Sequence, residues 1–512
     1  MSWTDGYMDE VGYTYGYYRE LSPLLMEFAV LNRMQAARAG RPLRYLELGF
    51  GQGLSLNIHA AAFDGEFWGV DFNPAHAAHA QDLARASGSG ARISDESFAE
   101  LAARPDLPEF DVIALHGIWS WISDANRKII VDLARRKLAP GGLLFMSYNV
   151  LPGWSATLPL RHLLSAHAGL ADKATTGMLT RINNAIDFAQ SLSESGALYF
   201  QSQPPAIEWL KTMKGQEGSY LAHEYFNADW HPMTFTDAAR QLEESKLSFV
   251  ASAHILDHMD ELSLNPAQQA LLASIAHPVL RQTTRDFCVN QMFRRDIWVK
   301  GPRPLSASQQ IELLRSLHFV LIVRAEDVSL KVQGATVSAT LAPEVFRPIA
   351  DALASDGYAP KTLARLAELL PATGHPQLLQ ALLIFIGNDQ ASPAQSPEAA
   401  RGARSRTDAL NAHLIERAAF SGDIAFLASP VAGRGILVPR FEQLFLRAIR
   451  RGLPAPENWA ADAWRYLSFG GMRLIKDGSS LNTDEENLAE LTAQARVFAD
   501  KRLAVLKALM VI

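Results

Sequence analysis

The chain of 512 residues contains a single cysteine, Cys288. One cysteine cannot form an internal disulfide, and a zinc cluster built from cysteines is equally excluded. An excess of positive charge is also lacking. The chain has 48 Lys and Arg residues and 54 Asp and Glu residues, which gives a net charge of −6. No long basic block interrupts this balance. The sequence therefore predicts no nucleic-acid partner and no anionic-membrane footprint.

Long apolar runs are missing as well. The longest strongly apolar run, residues 378–386, is far shorter than the roughly 20 residues that a membrane span needs. The first residues, Met1-Ser2-Trp3-Thr4-Asp5, are acidic and lack the apolar centre of a signal peptide. These absences predict a soluble cytoplasmic protein with no membrane partner, and the length suggests about three domains.

The most informative feature present is a glycine-rich turn. Residues 46–53 read Leu-Glu-Leu-Gly-Phe-Gly-Gln-Gly, and the next apolar segment ends at Asp71. Glycines that alternate with other residues let the backbone turn tightly and approach a ligand. A helix beginning near Leu54 would present its free N–H groups to the same ligand. Because Asp71 could accept hydrogen bonds from ribose hydroxyls, the pattern predicts an adenosine-containing cofactor.

The spacing of this turn separates two cofactor classes. The dinucleotide fingerprint is G-x-G-x-x-G, whereas this chain has G-x-G-x-G, with Glu47 two residues before the first glycine. An acid beside the turn suits the ammonium group of S-adenosylmethionine, directly or through water. The pattern therefore favours S-adenosylmethionine over a nicotinamide dinucleotide, and the alternative is a purely structural glycine turn in another α/β domain.

The alternation of apolar segments defines the predicted fold. Predicted strands at 44–48, 66–71, 92–95, 110–115 and 143–147 alternate with helices, which is typical of a Rossmann-like, doubly wound α/β sheet. A helix and an antiparallel strand pair between 236 and 300 would complete this sheet. The predicted division of the chain is a cofactor-binding core at 1–157, a helical insertion at 158–219, the completion of the sheet at 220–301, a mixed α+β, winged-helix-like middle domain at 302–387, a mobile linker at 388–408 and a helical C-terminal domain at 409–512. The insertion would cover the cofactor mouth or make an oligomer contact, which leaves a homodimer open.

Further strings accompany the glycine turn. They are Tyr-Met-Asp-Glu-Val-Gly-Tyr at 7–13, Leu-His-Gly-Ile-Trp-Ser-Trp at 115–121, Ser-Tyr-Asn at 147–149 with Pro-Gly-Trp at 152–154, and His-Glu-Tyr at 223–225. This set resembles the class I S-adenosylmethionine-dependent methyltransferases that carry a methyltransferase regulatory domain. Their best-known members are rickettsial protein-lysine methyltransferases that modify outer-membrane proteins. The resemblance covers about residues 5–300, and it departs from the family at Gly12, where proline is usual.

The resemblance implies a class I catalytic domain, S-adenosylmethionine as the cofactor and lysine side chains of surface or envelope proteins as the methyl acceptor. The predicted cofactor-binding residues are Tyr7, Glu47, Gly49, Phe50, Gly51, Gln52, Gly53, Asp71, Phe72, Asp95, Ser97, His116 and Gly117. An acid at the end of the third strand commonly takes the adenine amino group in class I enzymes, which assigns that role to Asp95. Phe72 would pack on the adenine ring or fill the core.

The predicted catalytic residues are Tyr13, His116, Trp121 and Glu224. His116 ends the fourth strand and would accept a proton, contact the cofactor through its backbone or cap the strand. Trp119 and Trp121 would form the wall of a channel for a cationic amine, because an indole face attracts an ammonium group, or they would pack against the next helix.

Four further side chains keep two interpretations each. Tyr7 and Tyr13, with Tyr18, would close over the cofactor or serve as core or surface aromatics. Glu224 would contact the acceptor amine or make a structural hydrogen bond. His223 and Glu224 have no third ligand at metal-binding spacing, so no metal is predicted.

The sequence thus predicts a methyltransferase that acts on protein lysine. A small molecule or a glycan is the alternative acceptor, and a catalytically silent cofactor-binding regulatory protein is the alternative from another class. The intact glycine turn and Asp71 disfavour the silent protein, and the glycine spacing disfavours a nicotinamide oxidoreductase.

Overall fold

A computed structural model of the chain describes residues 14–36, 42–171, 176–216, 221, 227 and 229–512. Tyr7, Tyr13 and Glu224, which the sequence predicts as site residues, lie outside the described residues.

A mixed sheet forms the centre of the N-terminal part. Its strands are β1 (Leu43–Leu48), β2 (Gly65–Val70), β3 (Arg92–Ser94), β4 (Phe110–Leu115), β5 (Leu138–Asn149), β6 (Leu247–Ser252) and β7 (Phe293–Lys300). Their order is β3-β2-β1-β4-β5-β7-β6, and β7 runs antiparallel to both of its neighbours while the pairs among β1 to β5 are parallel. The predicted doubly wound sheet that ends in an antiparallel strand pair is confirmed.

Helices flank this sheet and begin at well-formed caps. They are α1 (Pro23–Asn32), α2 (Leu54–Ala62), α3 (Pro74–Ser87), α4 (Phe98–Ala103), α5 (Asp124–Lys137), α6 (Leu158–Leu170), α7 (Met178–Glu194), α8 (Leu198–Ser202), α9 (Pro204–Met213), α10 (Phe235–Glu243), α11 (Asp260–Ser263), α12 (Pro266–Ser274) and α13 (Pro278–Val289). Asn73 caps α3, whose first residue is proline, and Ser97 forms a capping box with Glu100 at α4. These caps fix where the chain enters each helix next to the sheet edge.

The insertion helices α6 to α9 enclose a small hydrophobic cluster of their own. Leu160, Leu164, Ile182 and Phe200 are buried in it. Trp230, which follows the insertion in the chain, is buried in the same cluster. Trp121, in the segment after β4, packs against the same cluster. The insertion therefore lies beside the edge of the sheet where β4 ends.

The remaining elements form the C-terminal half. They are α14 (Ala307–Ser316), β8 (His318–Leu321), β9 (Lys331–Gln333), β10 (Ser338–Thr340), α15 (Pro343–Tyr358), β11 (Lys361–Thr362), α16 (Leu363–Leu369), α17 (His375–Gly387), β12 (Ala391–Ala394), α18 (Pro397–Arg417), β13 (Phe426–Ser429), β14 (Arg434–Leu437), α19 (Arg440–Arg450), α20 (Pro456–Phe469), β15 (Ile475–Lys476), β16 (Ser479–Ser480), α21 (Asp484–Lys501) and α22 (Leu503–Ala508). The predicted mixed middle segment and the mainly helical C-terminal segment are confirmed. Among the helices described, none combines the length and the apolar character that crossing a bilayer requires.

One hydrophobic core runs across the predicted boundary at residue 302. Phe28 on α1 packs edge-on against Phe319 on β8, with ring centroids 5.5 Å apart. Arg19 donates hydrogen bonds to the carbonyls of Ile386 and Gly387 at the end of α17. Because the middle segment shares its core with the sheet, the domain boundaries stay predictions.

The predicted mobile linker at 388–408 is wrong. The segment contains β12, which pairs antiparallel with β8, and the first half of α18. Ala400 and Ala403 are buried on α18, which packs against α2 and α3. Small residues allow such close helix contacts, whereas a composition rule takes alanine, serine and proline as a sign of disorder.

Gln395 provides a test of this ordered segment. Its amide nitrogen donates to the carbonyl oxygens of Ala62 (2.7 Å) and Pro430 (2.6 Å), and the side chain is buried. We expect Gln395→Ala to lower the free energy of unfolding by about 1–3 kcal/mol, since two buried carbonyls lose their donor. Gln380→Ala, at an exposed position of α17, is the control and should change it by less than about 0.5 kcal/mol. Equal denaturant midpoints for the two variants would contradict the assignment.

Candidate functional site

The turn after β1 has the conformation that its glycines permit. Gly49, Gly51 and Gly53 have φ values of +70°, +57° and +72°, in the left-handed region. A Cβ atom at Gly49 would lie 2.4 Å from Cδ1 of Ile118. The turn therefore closes against the loop after β4 only because residue 49 has no side chain.

Asp71 ties this turn to the neighbouring one. The backbone N–H of Gly51 donates to Oδ2 of Asp71 (2.8 Å), while the N–H of Asn73 and Nδ1 of His76 lie 3.1 Å from Oδ1. Since β1 and β2 are parallel neighbours, their carboxyl ends meet at one edge. The Asp71 carboxylate thus fixes both turns at the place where a ligand would lie.

Glu47 is a buried acid close to Asp71. The hydroxyl of Tyr45 donates to Oε2 of Glu47 over 3.4 Å. Burial raises the pKa of Glu47 to about 8, the hydrogen bond from Tyr45 opposes the shift, and the negative charge of Asp71 adds to it. A cation placed next to Glu47 would lower its pKa again, because it favours the ionised carboxylate.

A cavity of about 310 Å³ opens at this edge of the sheet, within the range of small-molecule sites. Ten of the predicted site residues line it: Glu47, Gly49, Phe50, Gly51, Asp71, Phe72, Ser97, His116, Gly117 and Trp121. They come from four separate βα turns or loops. The parallel sheet brings them together because the carboxyl ends of its strands share one edge.

The structure does not place Gln52, Gly53 or Asp95 on the wall of this cavity. The carbonyl oxygen of Gln52 accepts a hydrogen bond from Nδ1 of His79, and Gly53 is the N-cap of α2. Strand β3 ends at Ser94, and Asp95 is exposed while its neighbour Glu96 lines the cavity. One residue of register, which the sequence pattern could not fix, decides which acid faces inward.

Several residues of the cavity wall are not among those that the sequence predicts. They are His76, Glu96, Phe98, Ile118, Ile122, Ser123, Asn126 and Asp229, and Tyr18, which was one of the three tyrosines considered, also lines it. His76 and Phe98 carried a local signal, because each lies in the first turn of a helix that follows a strand. Asp229 carried none, since more than a hundred residues separate it from Trp121.

His116 is surrounded by aromatic rings. Tyr18 stacks on it with ring centroids 3.8 Å apart, and Phe145 and Phe293 approach to 6.2 and 6.0 Å. Its Nδ1 lies 3.2 Å from Oγ of Ser147, whose oxygen also accepts the N–H of Gly117. Burial lowers the pKa of His116 to about 4, so the imidazole is neutral at physiological pH.

The two tryptophans after His116 have different environments. Trp119 is fully buried in the core of the sheet, whereas Trp121 lines the cavity. The ring of Trp230 packs 6.0 Å from that of Trp121. The N–H of His231 donates to the carbonyl of Ser120 (2.7 Å), and this bond holds Asp229 beside Trp121. An indole and a carboxylate therefore both line the cavity, and Oδ1 of this carboxylate lies 2.9 Å from Nε2 of His231.

The cavity fits S-adenosylmethionine. It offers a buried carboxyl for an ammonium group, the strand-end Asp71 for a ribose and the aromatic rings of Phe72 and Phe98 for a purine. A Cβ atom at Gly117 would project into open space, with no atom within 4 Å. Among the described residues, no group of three or more His, Cys, Asp or Glu side chains is arranged to hold a metal ion.

Comparison with known proteins agrees with this geometry. A family model described as "Methyltransferase domain" matches residues 46–142, and one described as "Predicted methyltransferase regulatory domain" matches residues 217–300. The chain resembles PKMT2 from Rickettsia typhi, solved in complex with AdoHcy, with a TM-score of 0.67 over 94% of this chain and 98% of that one. Their sequences are 17% identical, so this likeness shows a shared fold. Fold, cavity and family matches together define a class I S-adenosylmethionine-dependent methyltransferase.

Sequence relatives give the family. The uncharacterized protein sll1526 of Synechocystis is 38% identical over 511 residues, which are 99% of both chains. The uncharacterized protein RP789 of Rickettsia prowazekii is 26% identical over 49% of this chain and 45% of its own length. The chain belongs to the family of methyltransferases with this regulatory domain. Its similarity to sll1526 extends over nearly the full length of both chains.

Asp71→Ala tests the position of the cofactor. We expect the substitution to weaken the binding of S-adenosylmethionine and S-adenosylhomocysteine by about 1–3 kcal/mol, because ribose hydrogen bonds are lost and the N–H of Gly51 loses its acceptor. Isothermal titration calorimetry measures this change. Asp64→Ala, an exposed position just before β2, should leave the affinity unchanged. Equal affinities for Asp71→Ala and the wild type would place the cofactor elsewhere.

Glu47 predicts proton release on cofactor binding. With its pKa at about 8, free Glu47 holds a proton at pH 7, and a bound ammonium group favours the ionised form. We expect binding at pH 7 to release about one proton, and the release to vanish as the pH rises through 8. Calorimetry in two buffers of different ionisation enthalpy counts these protons.

Glu47→Gln should abolish the release, and Glu66→Gln on the same sheet should not. A proton count near zero in the wild-type protein at pH 7 would mean that Glu47 does not meet a cation.

Proposed function

We propose that this methyltransferase transfers methyl groups to lysine side chains of surface or envelope proteins. The observation that carries the proposal is the presence of both Trp121 and Asp229 on the wall of the cofactor cavity. An indole face and a carboxylate together suit a cationic amine, and each cation–π contact contributes about 0.5–2 kcal/mol. The resemblance of residues 5–300 to rickettsial protein-lysine methyltransferases supports the same acceptor, as does the fold shared with PKMT2 of Rickettsia typhi.

In this proposal the cofactor is held by residues around the glycine turn. Glu47 binds its ammonium group, Asp71 its ribose, and Phe72 with Phe98 its adenine. Gly117 leaves room for it, since a Cβ atom there would project into open space. S-adenosylmethionine supplies an activated methyl group on a positively charged sulfur.

The acceptor must lose a proton before it attacks. A free lysine amine has a pKa of about 10.4, and partial desolvation beside Trp121 and Tyr18 lowers it. His116 is a poor acceptor for this proton, because burial sets the pKa of its imidazole at about 4. We therefore assign the proton to water and give neutral His116 a positioning role, in which it stacks on Tyr18 and hydrogen-bonds Ser147.

Neutral His116 also keeps positive charge away from the site. A protonated imidazole would repel both the sulfonium and the lysine ammonium. The stacked Tyr18 and the nearby rings of Phe145 and Phe293 make the charged form costly, which keeps the wall of the cavity neutral there.

Labelling tests the acceptor. The protein is incubated with radiolabelled S-adenosylmethionine and a cell-envelope extract, and the products are separated on a gel and digested for mass spectrometry. We expect label in protein bands and the added methyl groups on lysine. Trp121→Ala should lower the labelling rate about 2- to 30-fold, in line with one or two cation–π contacts, and Trp121→Phe should lower it less.

Two controls make this outcome decisive. Asp71→Ala should lose labelling together with cofactor affinity, whereas Trp121→Ala should keep its affinity for S-adenosylhomocysteine. Label confined to small molecules or glycans, or methyl groups on residues other than lysine, would contradict the proposed acceptor.

A further inference from the structure

A second cavity, of about 460 Å³, lies between β6, α12 and α13. It shares no wall residue with the cofactor cavity. Four arginines line it: Arg33, Arg281, Arg285 and Arg294. All of its described wall residues except Arg33 fall within residues 217–300, the region that matches the regulatory-domain model. The four arginines differ in their hydrogen bonds. Arg294 has a structural role, and the other three do not use all of their donors.

Arg294 is fully engaged. Its Nε lies 2.8 and 3.0 Å from the two oxygens of Asp296, its Nη1 donates to Asp286 (2.6 Å) and its Nη2 donates to Gln282 (3.0 Å). The hydroxyl of Tyr148 on β5 donates to the same Asp296. This network lies at the bottom of the cavity. Each of the three guanidinium nitrogens of Arg294 already has a hydrogen-bond partner within the protein.

Arg285 differs sharply from it. The residue is 8% exposed, yet it donates no hydrogen bond to any residue that the structure describes. Its closest carboxylate oxygens, on Asp257 and Asp260, are each 3.7 Å away, which is too long for a hydrogen bond. Buried charged groups in proteins are normally hydrogen-bonded. An almost buried guanidinium beside a cavity, with its donors unused, points to an acceptor that enters the cavity.

The neighbouring carboxylates of Asp257 and Asp260 do not accept hydrogen bonds from Arg285. Asp257 accepts the hydroxyl of Ser252 (2.8 Å), and the side chain of Asp260 is 55% exposed to solvent. Two more guanidiniums face the cavity: Arg281 uses only Nε and Nη2, both on the carbonyl of Ile275, and Arg33 makes one bond of 3.4 Å to the carbonyl of Asp257. Three arginines thus keep spare donors around one space.

We propose that this cavity binds a small ligand through an oxyanion group, a phosphate ester or a carboxylate, held by Arg285 with Arg281 and Arg33. The planar fork of a guanidinium matches the two oxygens of such a group. The site gives the regulatory region a ligand of defined chemistry, apart from the cofactor and the methyl acceptor. Strand β7 connects it to the surroundings of the cofactor cavity, because β7 contributes Arg294 to the wall of the second cavity and Phe293 to the rings around His116.

Direct binding tests the site. Inorganic phosphate and succinate are titrated into the full-length protein by calorimetry at constant ionic strength, as probes for the two kinds of oxyanion. We expect saturable binding of at least one of them, weakened at least tenfold in Arg285→Met. Arg240→Met removes an exposed arginine of α10 outside the cavity and should bind as the wild type does.

A second variant guards against a folding defect. Ala273→Trp places a large side chain at an exposed position of the wall while every arginine stays in place, and it should weaken binding to the same extent. Affinity for S-adenosylhomocysteine, measured in each variant, reports whether the methyltransferase fold is intact. The proposal is overturned if neither anion binds the wild-type protein saturably, or if Ala273→Trp and Arg285→Met, both folded, bind as tightly as it does.

Discussion

The hydrogen bond from the N–H of Gly51 to the carboxylate of Asp71 is the constraint on which the site depends. It joins the turn after β1 to the turn after β2, and the same carboxylate orients His76 and Asn73. Parallel pairing of β1 and β2 makes the bond possible, because it brings both turns to one edge of the sheet. With the turns fixed, Gly49 can approach Ile118, and the loop after β4 completes the cavity.

The two buried acids at this edge, Asp71 and Glu47, differ in their hydrogen-bond partners. Asp71 has its charge matched by N–H donors, whereas Glu47 has only the long bond from Tyr45. Burial therefore raises the pKa of Glu47 to about 8. A cation placed beside Glu47, such as the ammonium group of the cofactor in the proposed arrangement, would favour its ionised form.

Strand β7 separates two polar networks by its alternation. Arg294 and Asp296 face the second cavity, while Arg295, the residue between them, lies 3.7 Å from Glu20 on the side of His116. Successive side chains of a strand point to opposite faces, so one antiparallel strand supplies both. Burial would raise the pKa of Glu20, but Arg295 and Arg19 hold it below its ordinary value. Arg295 and Arg19 thus balance the charge of Glu20 next to His116 and outside the cavity.

Local pattern was enough for part of this protein. The run from Glu47 to Gly53 predicted a strand, a glycine turn and a helix, because these depend on residues close together in the chain. The doubly wound sheet followed from the alternation of strands with helices. The segment at 388–408 was misjudged for the opposite reason: Ala400 and Ala403 are ordered by α2 and α3, which lie more than three hundred residues away.

The sequence by itself determined the class of the catalytic domain, its cofactor and the strand ends that carry Glu47, Asp71 and His116. Only the tertiary structure decided that Trp121 rather than Trp119 faces the cavity, that Glu96 replaces Asp95 on its wall, and that Asp229 stands beside Trp121. The physical reason is range. Glycine geometry and strand periodicity act between neighbours in the chain, whereas the side that a residue faces at the end of an element, and what it meets there, is set by packing against distant segments.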